Sequence, residues 1–178
     1  MFHQISSIAY TTVSSLISFS RNKRGVVMVE FALIAIPFFA LLGAIIELGI
    51  LFTAEESLEL AFQQTTRGLR TGSIKTQKDF IDGVCNLVTG LVNCKNIRVQ
   101  STVYTQGTIP NRVNIPNSGT MPSMSSFSFD TGSGGNIIIV ELFYIHKLFF
   151  NKLGLGIGNL GGGKQLIIFT RALRNEPY

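Results

Sequence analysis

The chain has 178 residues, of which 46% are hydrophobic and 14% charged, and it carries a formal net charge of +5. That length holds one domain of ordinary size plus an accessory segment and excludes two enzyme-sized cores. The charged share lies well below the roughly 25% usual in soluble globular proteins, which points to a membrane segment.

In chain order, residues 1–24 form a basic leader. Its first part is mildly apolar and rich in Ser and Thr, and it ends on Arg21, Lys23 and Arg24 with no acid. From Phe31 to Ile46 there is no charged residue, and apolar residues continue on both sides from Gly25 to Ala54. About 20 such residues cross a bilayer core of about 30 Å. A helix of a soluble core is normally apolar along one stripe, whereas this run is apolar on every face, so a membrane-spanning helix is expected. It is longer than the apolar core of a secretory signal peptide, and no small-residue cleavage site closes it. Pro37 lacks an N–H and is expected to kink the helix near mid-membrane. Ala40 and Ala44 give small-xxx-small spacing, a pattern that lets helices approach closely and is also common by chance.

Charge sets the expected orientation. The basic triplet precedes the run and Glu55, Glu56 and Glu59 follow it, so the positive-inside rule keeps the N-terminus in the cytoplasm and exports everything after about residue 55. Residues 71–178 hold ten Lys/Arg against five Asp/Glu. These positives are scattered singly and do not form the clustered patch of a nucleic-acid footprint.

Two acids interrupt the apolar region. Glu30 follows Gly25 by five positions, and Glu47 lies seventeen residues further on, roughly 26 Å along a helix at 1.5 Å per residue. A carboxylate in hydrocarbon costs about 2.5–3.5 kcal/mol on insertion scales, so each acid needs an interface or a partner. The spacing by itself allows both to sit at headgroup boundaries, and this plain reading suits Glu47 better than Glu30.

The stretch from Arg24 and Gly25 through Val29-Glu30-Phe31-Ala32-Leu33 and Pro37, an apolar run, and then Glu47 ahead of Gly49 resembles the TadE/TadG-type domain of tight-adherence (Flp-type) pilus machinery. The likeness covers about 45 residues. A looser one extends to the Cys85/Cys94 pair followed by a strand and to the C-terminal Arg174–Tyr178. The resemblance implies a pilin-like protein, a minor pilin or pseudopilin, in the bacterial inner membrane with a periplasmic head. Its implied partners are pilin subunits, other pilus assembly proteins, a prepilin-type peptidase and the lipid bilayer. It further implies peptidase cleavage between Gly25 and Val26, leaving Glu30 at mature position five. Glu30, together with Glu47, is then a candidate for assembly. The uncut alternative, a single-pass anchor carrying a periplasmic binding or scaffold module, stays open.

Beyond the bilayer the helix is expected to continue to about residue 70 as a stalk, with Leu51, Ala54, Leu58, Ala61, Phe62 and Leu69 along one apolar face. The remainder, residues 71–178, reads as a periplasmic α+β head. Its expected elements are a short helix over Gln77–Val92 carrying Phe80, Val84, Leu87, Val88 and Leu91 on one face, and strands over Ile97–Thr105, Asn136–Leu148 and Lys164–Leu173. Three or four antiparallel strands are expected to pack on the helices. Thr108–Ser126, rich in Pro, Asn, Ser and Gly, is expected to be a loop.

Cys85 and Cys94 are the only cysteines, and in an exported domain they are expected to form a disulfide. Metal binding is not expected, since His3 and His146 fall on opposite sides of the membrane in this topology. The stretch Gly158–Lys164 matches the first part of a phosphate-binding loop. Gln165 then stands where Ser or Thr would hold magnesium, and an apparent strand follows in place of a helix. A Gly-rich hairpin connection is expected there and no nucleotide site. His146, inside an apolar strand, reads as a satisfied core residue. No catalytic set and no cofactor is expected, so the chain does not read as an enzyme.

Overall fold

A computed structural model of the chain describes residues 25–88, 90–105, 113–149 and 158–177; the basic leader and residues 108–112 of the expected loop lie outside them. The fold is α+β: a long apolar N-terminal helix followed by a small domain with a three-stranded antiparallel sheet. The chain divides into two compact units, the first ending at Gly43 and the second covering Ala44–Tyr178.

Helix α1 runs over Val26–Arg70, with Pro37 inside it. Proline removes one intrahelical donor, and the helix continues through that loss. The helix holds a window of mean hydropathy 2.4 that is only 6% buried, unlike a core helix of a soluble protein, and it is long and apolar enough to cross a bilayer. Phe31, Ile34, Ile36 and Phe39 all expose more than half of their surface. From Leu51 onward one face sinks into a core, with Ala54, Leu58, Ala61, Phe62 and Leu69 buried as the 3-to-4 spacing predicts. Arg67 and Arg70 occupy the last turn, where cations complement the helix dipole. Gly72 (φ 73°) supplies the left-handed residue beyond it.

Helix α2 covers Gln77–Leu87 and begins at Thr76, whose hydroxyl accepts the Asp79 N–H at 3.1 Å. Phe80, Ile81 and Val84 are its buried face, and the Phe80 and Phe62 rings meet edge-on, centroids 6.0 Å apart. The helix stops at Leu87, short of the expected Val92. Val88 is already extended (φ −78°, ψ 153°), and Leu91 is 46% exposed instead of lying on the buried face. The Cys85–Cys94 disulfide explains the early stop. A continuous helix would separate residues nine apart by roughly 13 Å, whereas these Cα atoms lie 5.9 Å apart, so the chain has to turn back between them.

A 3-10 turn over Cys94–Asn96 leads into strand β1, Ile97–Val103. Strand β2, Ile137–Lys147, is central, and strand β3, Lys164–Arg174, lies on its other side. The register pairs Ile97 with Tyr144 and Val103 with Ile138, then Ile137 with Arg174 and Lys147 with Lys164. Strand β2 is apolar along nearly its whole length because both of its faces are covered. Ile138, Val140, Leu142 and Tyr144 join the core formed with α1 and α2. Phe143 on the opposite face meets Phe127, ring centroids 5.4 Å apart, so the segment before β2 supplies a second layer. That segment also borders β1: Ser101 N–H donates to the Ser128 carbonyl at 3.0 Å and Asp130 N–H to the Ser101 carbonyl at 2.9 Å. Among the described strands, β3 pairs only with β2. The C-terminal residues fasten to the end of α1, with Glu176 N–H on the Arg70 carbonyl and Arg70 Nε 3.2 Å from Glu176 Oε1.

Candidate functional site

At its N-terminal end α1 presents Gly25 to Glu30 as an exposed run, Glu30 included. Gly25, Met28, Val29, Ala32, Leu33 and Ile36 line a shallow apolar hollow of about 360 Å³. Glu30 is thus a carboxylate beside an apolar surface, a costly placement in hydrocarbon unless a partner or an interface serves it.

Glu47 has a different setting. It is 2% exposed and belongs to the second unit, where its Oε1 accepts the backbone N–H of Phe149, just past the end of β2. Helical spacing puts it on the same face as Leu51, Ala54 and Leu58, which are all buried. The acid is therefore part of the packing between α1 and β2. Beside it His146 is 5% exposed, and neither of its ring nitrogens has a hydrogen-bond partner among the described residues. The imidazole is thus not the satisfied core residue that its apolar strand implies. Burial lowers its pKa below the ordinary histidine value, and the Glu47 charge pushes it partly back up. No linear signal joins residue 47 to residues 146–149; only the register of β2 against α1 brings them together.

Cys85 and Cys94 are joined as expected. Asn93 braces the turn between them and β1: its side chain accepts the Lys95 N–H at 3.1 Å, and its own N–H donates to the Tyr144 hydroxyl at 3.3 Å. The Gly-rich stretch makes a turn into β3, with Gly162 and Gly163 at φ 73° and 70°. The amine of Lys164, which a phosphate-binding loop would aim at nucleotide, donates to the Gly119 carbonyl at 3.0 Å. A strand follows it.

A cleft of about 520 Å³ lies between the last turns of α1 and the end of β3, lined by Arg67, Arg70, Arg171 and Arg174. Two of the four are engaged, Arg70 with Glu176 and Arg174 with the Gly135 carbonyl at 3.2 Å. The sequence shows these cations as scattered, and the fold gathers them. Among the described residues no group of three or more His, Cys, Asp or Glu is placed to hold a metal ion.

Residues 25–67 match the model of a protein family described as TadE-like protein. Neither the curated proteins nor the solved structures yield a match to the chain.

Proposed function

From the TadE-like segment at residues 25–67, we propose that the chain is a pilin-like component, a minor pilin or pseudopilin, that assists assembly of a tight-adherence type pilus in the bacterial envelope. In this reading α1 anchors the chain in the inner membrane as a single pass, with the basic leader in the cytoplasm and the α+β head in the periplasm. The supporting observation is the family match together with an apolar helix whose side chains are exposed on every face in its first part. Such a surface is at home only in lipid or in a bundle of like helices. The role is structural and non-enzymatic, in keeping with the family.

Glu30 follows Gly25 by five residues, the relation a prepilin-type peptidase would leave at a mature N-terminus. Cleavage before Val26 exposes an α-ammonium group, and the Glu30 carboxylate of a neighbouring subunit can pair with it inside a helical bundle. That pairing removes two lone charges from an apolar medium at once. Deleting one partner of such a buried pair costs about 3–5 kcal/mol.

The N-terminus of the protein from its native host, read by intact mass and terminal sequencing, tests this. A start at Val26 is expected, and an intact Met1 would point instead to an uncut anchor carrying a scaffold or binding module. Glu30→Ala is expected to accumulate in the membrane at the normal level while pilus assembly fails. Normal pili from that variant would sink the assembly role of Glu30.

A further inference from the structure

The end of β2 meets α1 at Glu47, one residue beyond the last position of the charge-free run Phe31–Ile46. Leu148 there is buried and donates to the Gly163 carbonyl at 2.9 Å, whereas the next side chain, Phe149, is 75% exposed. Within about 10 Å along the helix, α1 exposes Ile45 (57%), Ile46 (59%) and Phe52 (63%); helical spacing sets Ile45 and Phe52 on the side away from Glu47 and Ile46 on its flank. Apolar surface is thus bare on both sides of the helix within about two turns. The surface changes just beyond: the exposed residues that follow up to residue 60 are Thr53, Glu56 and Glu59, with Leu60 as the one apolar member. About 20 apolar residues suffice to cross a bilayer, and counting from Val26 that reaches Ile45, so the bilayer boundary falls at this level. An exposed lysine, Lys147, stands two residues from Phe149. Phe rings seat at the headgroup–acyl boundary in interfacial segments, and a lysine beside one keeps its amine in water while its stem covers apolar surface.

We propose that the β2 end of the head, centred on Phe149, is a second lipid-contacting surface, with its ring in the interfacial layer of the bilayer that α1 spans. Glu47 is what holds it there: its carboxylate takes the Phe149 N–H and is shielded from hydrocarbon by the strand it anchors. The opposite end of the sheet, where Tyr104 follows β1 and the arginine cleft opens beside β3, then faces away from the lipid. This inference rests on the membrane-spanning reading of α1 but not on pilus assembly or on processing at Gly25.

The chain contains no tryptophan, so Phe149→Trp creates a sole reporter at a site exposed enough to accept it. The full chain would be placed one copy per nanodisc, in phosphatidylcholine with plain or brominated acyl chains. Phe39→Trp, within the spanning run, and Tyr104→Trp, at the far end of the sheet, serve as separate single-reporter references. The Phe149→Trp protein is expected to lose about half or more of its emission to brominated lipid, as a belt aromatic would. Emission from Phe39→Trp is expected to be quenched as well, and that from Tyr104→Trp to stay unchanged. If Phe149→Trp behaves like Tyr104→Trp while Phe39→Trp is quenched, the inference is overturned and the membrane anchor stands. A Phe149→Trp reporter hidden from both brominated lipid and aqueous acrylamide overturns it in favour of a protein cover. Unquenched emission from Phe39→Trp removes the membrane-spanning reading itself.

Discussion

Replacing Glu47 by Ala separates two effects that the intact residue combines. The carboxylate is 2% exposed and accepts the Phe149 N–H, so its loss leaves a backbone donor without its acceptor at a packed junction, a cost of about 1–3 kcal/mol. At 1.36 kcal/mol per factor of ten, exchange of the Phe149 amide with solvent deuterium is expected to accelerate by about 5-fold to 150-fold. Membrane insertion should not suffer, because the substitution removes an acid that insertion scales penalise by about 2.5–3.5 kcal/mol at mid-bilayer. The assay is site-resolved hydrogen exchange in detergent micelles, with the neighbouring Leu148 amide, bonded to Gly163, as the internal reference. Glu47→Gln keeps an acceptor oxygen and is expected to stay close to the parent rate. The reasoning is refuted if Phe149 exchanges at the parent rate in Glu47→Ala, or if all of β2 accelerates equally, which would mean general destabilisation and no local anchor.

The nine-residue separation of Cys85 and Cys94 corresponds to about 2.6 kcal/mol in the chain-entropy account. The double change Cys85→Ser with Cys94→Ser is thus expected to lower the melting temperature of the second unit by about 10 °C, and a midpoint unmoved under oxidising conditions would contradict this. Leu58 is fully buried and Leu60 is 52% exposed, so Leu58→Ala should lose about 2–5 kcal/mol by chemical denaturation while Leu60→Ala stays within about 0.5 kcal/mol; equal losses would place the core on the wrong face of α1. Burial lowers the His146 pKa, so the unfolded chain takes up its proton at higher pH than the folded one. The stability His146 contributes is therefore complete above its unfolded pKa of about 6.5 and is lost as pH falls below it. His146→Phe is expected to flatten the melting temperature against pH between about 7 and 5, and an identical slope in both proteins would count against the buried imidazole.

The elements of the fold were legible because each carries a local signal. The three strands fall within about two residues of their expected ends, since β2 is a nearly continuous apolar run and Gly-rich stretches precede both β2 and β3. The buried stripe of α1 followed from 3-to-4 spacing alone. The end of α2 falls short of its expected position because two local signals conflict: Phe80, Val84 and Leu87 keep helical spacing with Val88 and Leu91, but the expected Cys85–Cys94 disulfide, spanning only nine residues, turns the chain back before them. The candidate site divides between local and distant signals. Glu30 is marked by its distance from Gly25, a relation within one segment. The burial of Glu47, the bare nitrogens of His146 and the gathering of Arg67, Arg70, Arg171 and Arg174 come from residues about a hundred positions apart, which only the sheet register and the placement of α1 bring together. Glu47 in particular reads from its spacing as an acid at a headgroup boundary, and the spacing does not show the strand end that covers it.

The two borders of the sheet are managed differently. The segment around Phe129 shields β1. The start of β3 is covered as well, with Leu160 N–H on the Lys164 carbonyl and the Asn159 side chain on both backbone groups of Leu166, and beyond Leu166 the strand has β2 as its one partner among the described strands. A strand border of this kind is a template on which a stranger's strand can add. Arg171 and Arg174 stud it with positive charge, and a second copy adding there would bring like charges towards them. Copies of this chain brought side by side are thus discouraged from zipping into a continuous sheet along β3.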